Sequence, residues 1–384
     1  MLAINQLLRK RTHRGFTLVE LLVVLLIFMI LVSVSLPIVK GLISDQKVSR
    51  TAQSIEAFVN AARSRAIGEG RTVGVRFERL GDVNFRRSTS VRLRQLLGVP
   101  AYSGDSADAT ATLTGSPISS ASFDTADSPL VYLSSELLND TPTDNDHLAP
   151  IQVGDMLELA GGRTVAIGAI GAVSGMSVPI TFDLSENFNP TGSVYVDRFP
   201  LAGASSSSGG RVKYRIHRSP VPSSSNVLSL PKGMAIDLNY SGIGLGGSEF
   251  APDTSSAVTP RSVDILFNSE GAVTQVIYDT ANTRFYPTGL IFFCLGEVDG
   301  VASIEGAASD RDSLFAAGRT LTTNIRKPDS LWLVINPASG VVSTVAMASV
   351  NTIPTDPTDP NDGDYGTALQ EARLFATYSD TIAE

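Results

Sequence analysis

The 384-residue chain is predicted to be an α+β protein. A long N-terminal helix, hydrophobic and then amphipathic, packs on a mainly antiparallel β head that carries an inserted β-rich subdomain. Three observations carry that expectation. From Leu21 to Val32 no polar residue interrupts the chain. After it, Val48, Ala52, Ile55, Val59, Ala62 and Ala66 recur at spacings of four and three, which is one face of a helix. Beyond Gly70, helical periodicity gives way to short alternating runs broken by Gly, Pro, Ser and Asp, the pattern of strands and turns.

The first element, residues 1–15, is a basic leader with Arg9, Lys10, Arg11 and Arg14, ending at Gly15. The segment that follows reads Phe16-Thr17-Leu18-Val19-Glu20 and runs directly into the apolar stretch. A secretory signal peptide carries its apolar region before the cut and loses it. Here the apolar region follows Gly15 and would be kept. Gly15 has no side chain, so it can lie extended in a protease groove. This leader and motif closely resemble the class III signal of type IV pilins and type II secretion pseudopilins, G-F-T-L-x-E. The resemblance implies cleavage between Gly15 and Phe16 by prepilin peptidase, followed by methylation of the new amine on Phe16.

Residues 16–40 are expected to span a membrane or line a filament core. From Leu21 to Val39 the interruptions are Ser33, Ser35 and Pro37. At 1.5 Å per residue such a run covers about 28 Å, close to the hydrocarbon thickness of a bilayer. Glu20 is costly there, at roughly 2.5–3.5 kcal/mol for a charge inside a spanning helix. The cationic amine freed on Phe16 of a neighbouring subunit would pair with it, which ties Glu20 to assembly. Pro37 removes a backbone donor and predicts a kink or melted turn. The leader cations favour a cytoplasmic N-terminus, giving a single-pass protein of the bacterial inner membrane with a periplasmic C-terminal domain.

Residues 41–68 continue as an amphipathic stalk. Asp45, Lys47, Arg50, Glu56, Arg63 and Arg65 fall largely off the apolar stripe, and Gly68 and Gly70 supply the stop.

The head is assigned to 71–94 and 211–350. Alternation predicts strands at Thr72–Leu80, Arg211–His217, Met234–Leu238, Val263–Phe267, Ala272–Tyr278 and Leu331–Ile335. Three pieces resemble the C-terminal half of the H-type minor pseudopilins: Leu230-Pro231-Lys232-Gly233, the run Ile265 to Gly271, and Leu331 to Asn336 followed by Ala338 to Val342. Residues 95–210 exceed what a small pilin head needs and are read as an insertion. Within it, Ser103–Asp127 is rich in Ser, Ala, Thr and Asp and is expected to be a loop. Ile151–Leu159 and Arg163–Ile170 alternate around Gly161-Gly162, which predicts a hairpin of a small barrel-like unit. Ser205 to Gly210 reads as a linker. The tail, 351–384, is an acidic linker and then a short helix with Leu369, Ala372 and Ala376 on one face.

Loss of the leader's four cations takes the formal net charge from −8 to −12. A chain so acidic does not attract nucleic acid as a whole. A solvated strand face is the preferred reading of Arg211, Lys213, Arg215 and His217, and Arg86, Arg87, Arg92 and Arg94 join them as a basic set. The lone Cys294 forms no intrachain disulfide, a departure from type IVa pilins that close a loop with one. His13, His147 and His217 stand in no nucleophile, zinc or phosphate motif, so an enzyme is not expected. Calcium is the one candidate cofactor, through Asp356, Asp359, Asp362 and Asp364, although their order is not that of an EF-hand.

The expectation is therefore a minor pilin or pseudopilin, a structural filament subunit. Its partners are other pilins, prepilin peptidase, the inner-membrane assembly platform and the membrane. The competing expectation is a membrane-anchored, adhesin-like ligand-binding protein exported through a pilin signal.

Overall fold

The computed structural model describes residues 18–81, 84–115, 118–140, 148–159, 164–183, 210–252, 261–278, 284–301, 323–350 and 364–376. Within these, the side chains at 34–45, 84, 183 and 364 lie outside the description.

Helix α1 runs from Leu18 to Glu69, 52 residues, a rod of about 78 Å. It stops at Gly70, whose φ of 61° is the left-handed turn that closes a helix. The six stripe residues predicted from spacing, Val48 to Ala66, are each at most 2% exposed. They form one core with Val73, Val75, Phe77, Leu93, Ile236, Ile265, Phe293 and Leu333 of the sheet beneath. Each fully buried Val or Ile contributes roughly 1.5–3 kcal/mol, so a charge at Ile55 or Val59 would split helix from sheet. Phe77 stacks on Phe293 at 4.0 Å between centroids.

That sheet is built, among the described residues, from nine antiparallel strands: β1 (Val73–Arg79), β2 (Thr89–Leu97), β10 (Val221–Ser229), β11 (Met234–Ile243), β12 (Val263–Phe267), β13 (Val273–Ile277), β14 (Ile291–Glu297), β15 (Leu331–Ile335) and β16 (Val342–Ala346). Their order is β13-β12-β1-β2-β11-β14-β15-β16. One edge of β2 is shared, with Thr89 and Ser90 pairing to β11 and Arg92 to Leu97 pairing to β10. The opposite face is covered by α3 (Asp364–Ala372). Ala368, Leu369, Ala372 and Ala376 are buried there with Tyr240, Phe292 and Trp332.

A second sheet uses residues 111–217: β3 (Ala111–Gly115), β4 (Ile118–Asp124), β5 (Met156–Leu159), β6 (Thr164–Ile170), β7 (Ser177–Asp183), β8 (Arg211–Val212) and β9 (Tyr214–His217). The order is β8-β3-β4-β7-β6-β5-β9. Its two end members, β8 and β9, are consecutive pieces of one extended segment interrupted at Lys213. The sheet thus closes on itself as a barrel, with its own core around Leu113, Phe123, Leu157, Ile167, Ile180 and Ile216. Helix α2 (Pro129–Leu138) opens with Pro at a favoured first-turn position and buries Val131 against it.

Three expectations about this region need correction. The segment Ser103–Asp127 is not a loop, because β3 and β4 form a hairpin within it. Its buried positions include Ala111, Leu113, Ala121 and Phe123, set among Thr and Ser that hide the pattern. Residues 211–217 belong to the barrel and not to the head: Arg211 and Val212 pair with β3, and Tyr214 to His217 pair with β5. The head's share of β2 extends to Leu97, past the expected boundary at 94. Alternation identifies a strand but not the sheet it joins.

Candidate assembly site

The N-terminal part of α1 is not covered by the other described residues. From Leu18 to Leu31 its large apolar side chains are 46–81% exposed, on every face of the helix. The same helix, one or two turns past residue 45, becomes the spine of the head core. Glu20 lies in the first turn of this exposed part and its side chain is exposed. An anion is favoured at a helix N-terminus by a few tenths to about 1 kcal/mol. Ser33 turns its hydroxyl inward and donates to Ile30 O at 2.8 Å, which satisfies it without solvent.

Among the described residues, no helix is long and apolar enough to cross a membrane. The continuously described side chains of the apolar part are those of 18–33, shorter than the expected span from Leu21 to Val39. Gly15 and Phe16, expected at the cleavage and methylation site, lie outside the described residues. At Pro37 the helix continues without interruption, so no melted turn breaks α1 there.

Of the calcium candidates, Asp356, Asp359 and Asp362 lie outside the described residues, and Asp364 opens α3 with its side chain also outside. Among the described residues, no group of three or more His, Cys, Asp or Glu is arranged to hold a metal ion. The basic strand face sits on the barrel exterior. Lys213 donates to Ala107 O at 2.5 Å, Arg215 lies 3.9 Å from Glu158, and His217 Nε2 is 2.8 Å from the same carboxylate. In the head, Arg94 and Arg92 both lean on Glu78, at 2.6 and 3.6 Å. Much of the basic set is therefore engaged with the chain's own oxygens.

The side chains that lock the head together were not singled out by sequence. Lys47 Nζ donates to Lys232 O, fastening the stalk to the Pro231–Gly233 turn. Arg373, fully buried, donates to Tyr240 O and Gly244 O at 2.6 Å and to Leu245 O at 3.1 Å. Its guanidinium lies over the Phe292 and Trp332 rings, at 4.5 and 4.9 Å. Burial lowers its pKa to about 10, which still leaves it charged at neutral pH. The signal available was a lone arginine inside the apolar face of Leu369, Ala372 and Ala376. Asp237 on β11 is also buried; desolvation raises its pKa to about 7, against the opposing hydrogen bonds from Asn324 and Asn239.

Residues 10–36 match the family described as a prokaryotic N-terminal methylation motif. No curated protein and no solved structure matches the chain. The chain therefore carries a type IV pilin-like signal, which marks membrane-anchored export, processing by prepilin peptidase and assembly with other pilins.

Proposed function

We propose that the mature chain, beginning at Phe16, is a minor pilin or pseudopilin: a structural subunit held in the inner membrane with a periplasmic head and drawn into a type II secretion pseudopilus or type IV pilus-like filament. The observation that carries this reading is the division of α1. Its Leu18–Leu31 part exposes apolar side chains all round, and its Val48–Ala66 part is the core of the head. A helix apolar on all sides is stable only with cover, and a bilayer or neighbouring helices of the same kind supply it. The finer assignment to the H-type minor pseudopilins rests on the sequence pieces alone, two of which fall on the hairpins β12–β13 and β15–β16. The role is structural and not catalytic.

A second reading is favoured by the barrel, whose core is separate from that of the head. In it the chain is a membrane-anchored, adhesin-like binding protein exported through a pilin signal. The test is fractionation of cells with and without the filament assembly ATPase. The filament reading expects the chain in sheared filaments only when the ATPase is present. A chain that stays in the membrane fraction in both strains is the anchored binder.

A further inference from the structure

The barrel meets the head along a polar cleft of about 230 Å³ lined by Thr72, Gly98, His217, Arg218, Thr274 and Arg284, among others. Two guanidinium groups enter this lining from different parts of the fold. Arg218 follows β9 at the end of the barrel, and Arg284 comes from the connection between β13 and β14 in the head. The Nε–H of each is buried and finds no acceptor among the described residues. Arg284 Nη2 donates to His217 O at 2.8 Å and pairs with Asp155 at 3.6 Å, and Arg218 Nη2 reaches Pro100 O at 3.4 Å.

The carboxylates nearby leave the pair short of negative charge. Asp155 lies 3.6 Å from Arg284. Its oxygens already accept from Gln152 N at 2.9 Å, from Ser219 N at 2.8 Å and from Ser219 Oγ at 2.7 Å. Glu158 is taken up by His217 at 2.8 Å. No carboxylate is placed against Arg218 by a salt bridge among the described residues. A buried donor without an acceptor is costly, and a planar guanidinium fork is the protein's best match for a carboxylate or phosphate.

We propose that this cleft is an anion-binding site, in which Arg218 and Arg284 together hold one carboxylate or phosphate group at the junction of barrel and head. The volume lies below the roughly 300–1,000 Å³ of drug-sized ligand sites. It suits a small anion or the charged end of a larger molecule. Such a ligand bridges an arginine of the barrel and one of the head, so binding also fixes the barrel against the sheet. The assignment stands whether or not the chain enters a filament.

The experiment is calorimetric titration of the full mature chain in uncharged detergent micelles with inorganic phosphate and, separately, acetate, at ionic strength held constant with chloride. The same titrations are run on Arg218→Gln and Arg218→Lys, with circular dichroism to establish folding. Arg218 is the better target because Arg284 also ties the two sheets together through His217 O and Asp155. Saturable one-to-one binding of phosphate, of acetate, or of both in competition is expected, weakened at least tenfold in Arg218→Gln and less in Arg218→Lys. Phosphate alone points to a phosphate ester, and acetate alone to a carboxylate ligand. Absence of saturable binding by either anion, or equal affinity in wild type and folded Arg218→Gln, overturns the proposal.

Discussion

Arg63 on α1 donates its Nε to Ser339 O at 2.8 Å, and to Gly271 O at 3.2 Å. One guanidinium thus holds the tips of the β12–β13 and β15–β16 hairpins against the helix. The tips touch each other at the same place. A Cβ on Gly340 would lie 1.9 Å from Gly271 O and 3.1 Å from Arg63 Cδ, and its φ of 67° is the left-handed region. Glycine is thus needed at 340 for both backbone conformation and space.

The first prediction compares these two residues. Gly340→Ala should destabilise the head by about 2–4 kcal/mol, because it adds left-handed strain to a backbone collision. Arg63→Met should cost only about 1–2 kcal/mol, since the stem can stay packed and the side chain is partly solvated. Urea unfolding of an ectodomain starting near Ser44, which keeps the whole buried stripe, measures both. A Gly340→Ala protein as stable as wild type means the hairpin tips are not in contact as described.

How far such contacts were legible follows from what repeats in a sequence. The stripe from Val48 to Ala66 and the strands Val263–Phe267 and Leu331–Ile335 were readable because burial imposes a period of 3.6 or 2 on the chain. The β3–β4 hairpin was missed because small residues, Ala111 and Ala121, stand at buried positions where a large apolar residue would have shown the alternation. The assignment of Arg211–His217 to the head failed for a different reason. Which sheet a strand joins depends on partners far away in the chain, here Ala111 and Thr112 for Val212 and Arg211 and Met156 to Leu159 for His217 to Tyr214, and local pattern carries no such information. The same holds for Arg63, Arg218, Arg284 and Arg373, whose partners are backbone carbonyls or other segments without a sequence signature. The methylation motif at residues 10–36 was legible because it is read as a linear peptide.

The second prediction concerns Asp237. Its pKa is raised from 3.8 to about 7 by burial, so the folded state holds a proton that the unfolded chain releases. Between those values the native state binds more protons, and stability must fall as pH rises, with a slope approaching about 1.4 kcal/mol per pH unit. Below about pH 4 and above about pH 7 this group contributes no slope. Asp237→Asn should remove it. Subtracting the stability of the variant from that of wild type at each pH should therefore give a curve descending from pH 4 to 7. A flat difference curve would sink this account.

A third prediction uses the single tryptophan of the chain. Trp332 is fully buried and donates Nε1–H to Ala372 O at 2.8 Å, beneath the segment that carries Arg373. Arg373→Ala removes three carbonyl contacts and the cation over two rings, and should cost roughly 2–4 kcal/mol. Ending the chain before Asp364 should go further, uncovering Tyr240, Phe292 and Trp332. Fluorescence reports directly, as the emission of Trp332 should shift to the red in the truncated protein. Unchanged emission would mean that α3 does not cover the sheet.

The fourth prediction concerns assembly. Mass analysis of the mature protein should find Phe16 at its N-terminus, N-methylated. Glu20→Leu should leave the chain in the membrane while lowering its recovery in sheared filaments at least severalfold, because the proposed filament pairs this carboxylate with a neighbour's amine and Leu cannot make that pair. Equal recovery of the variant removes the charge-pairing argument, whatever the cleavage site proves to be.

The last prediction turns on where the barrel leaves the head. Val221 of β10 is the pairing partner of Leu97 of β2, in antiparallel register. The two strands would make an ordinary hairpin if joined directly, so the whole segment between them hangs from what is otherwise a turn. Replacing residues 99–219 by Asn-Gly should restore such a hairpin, since that dipeptide supplies the twist a two-residue connection needs. The product should unfold cooperatively and keep its β-rich circular dichroism. Shortening that connection costs little, because loop closure depends weakly on length. Cutting at 95–210 instead should fail. It deletes Gln95, Leu96 and Leu97 from β2 and strands Val212, Tyr214 and Ile216, all buried in the barrel, without a partner. That protein should aggregate while the 99–219 deletion stays soluble. If the 99–219 deletion also aggregates, the head depends on the barrel for its own stability, and Arg284 with its contacts to His217 O and Asp155 is the first place to look for that dependence.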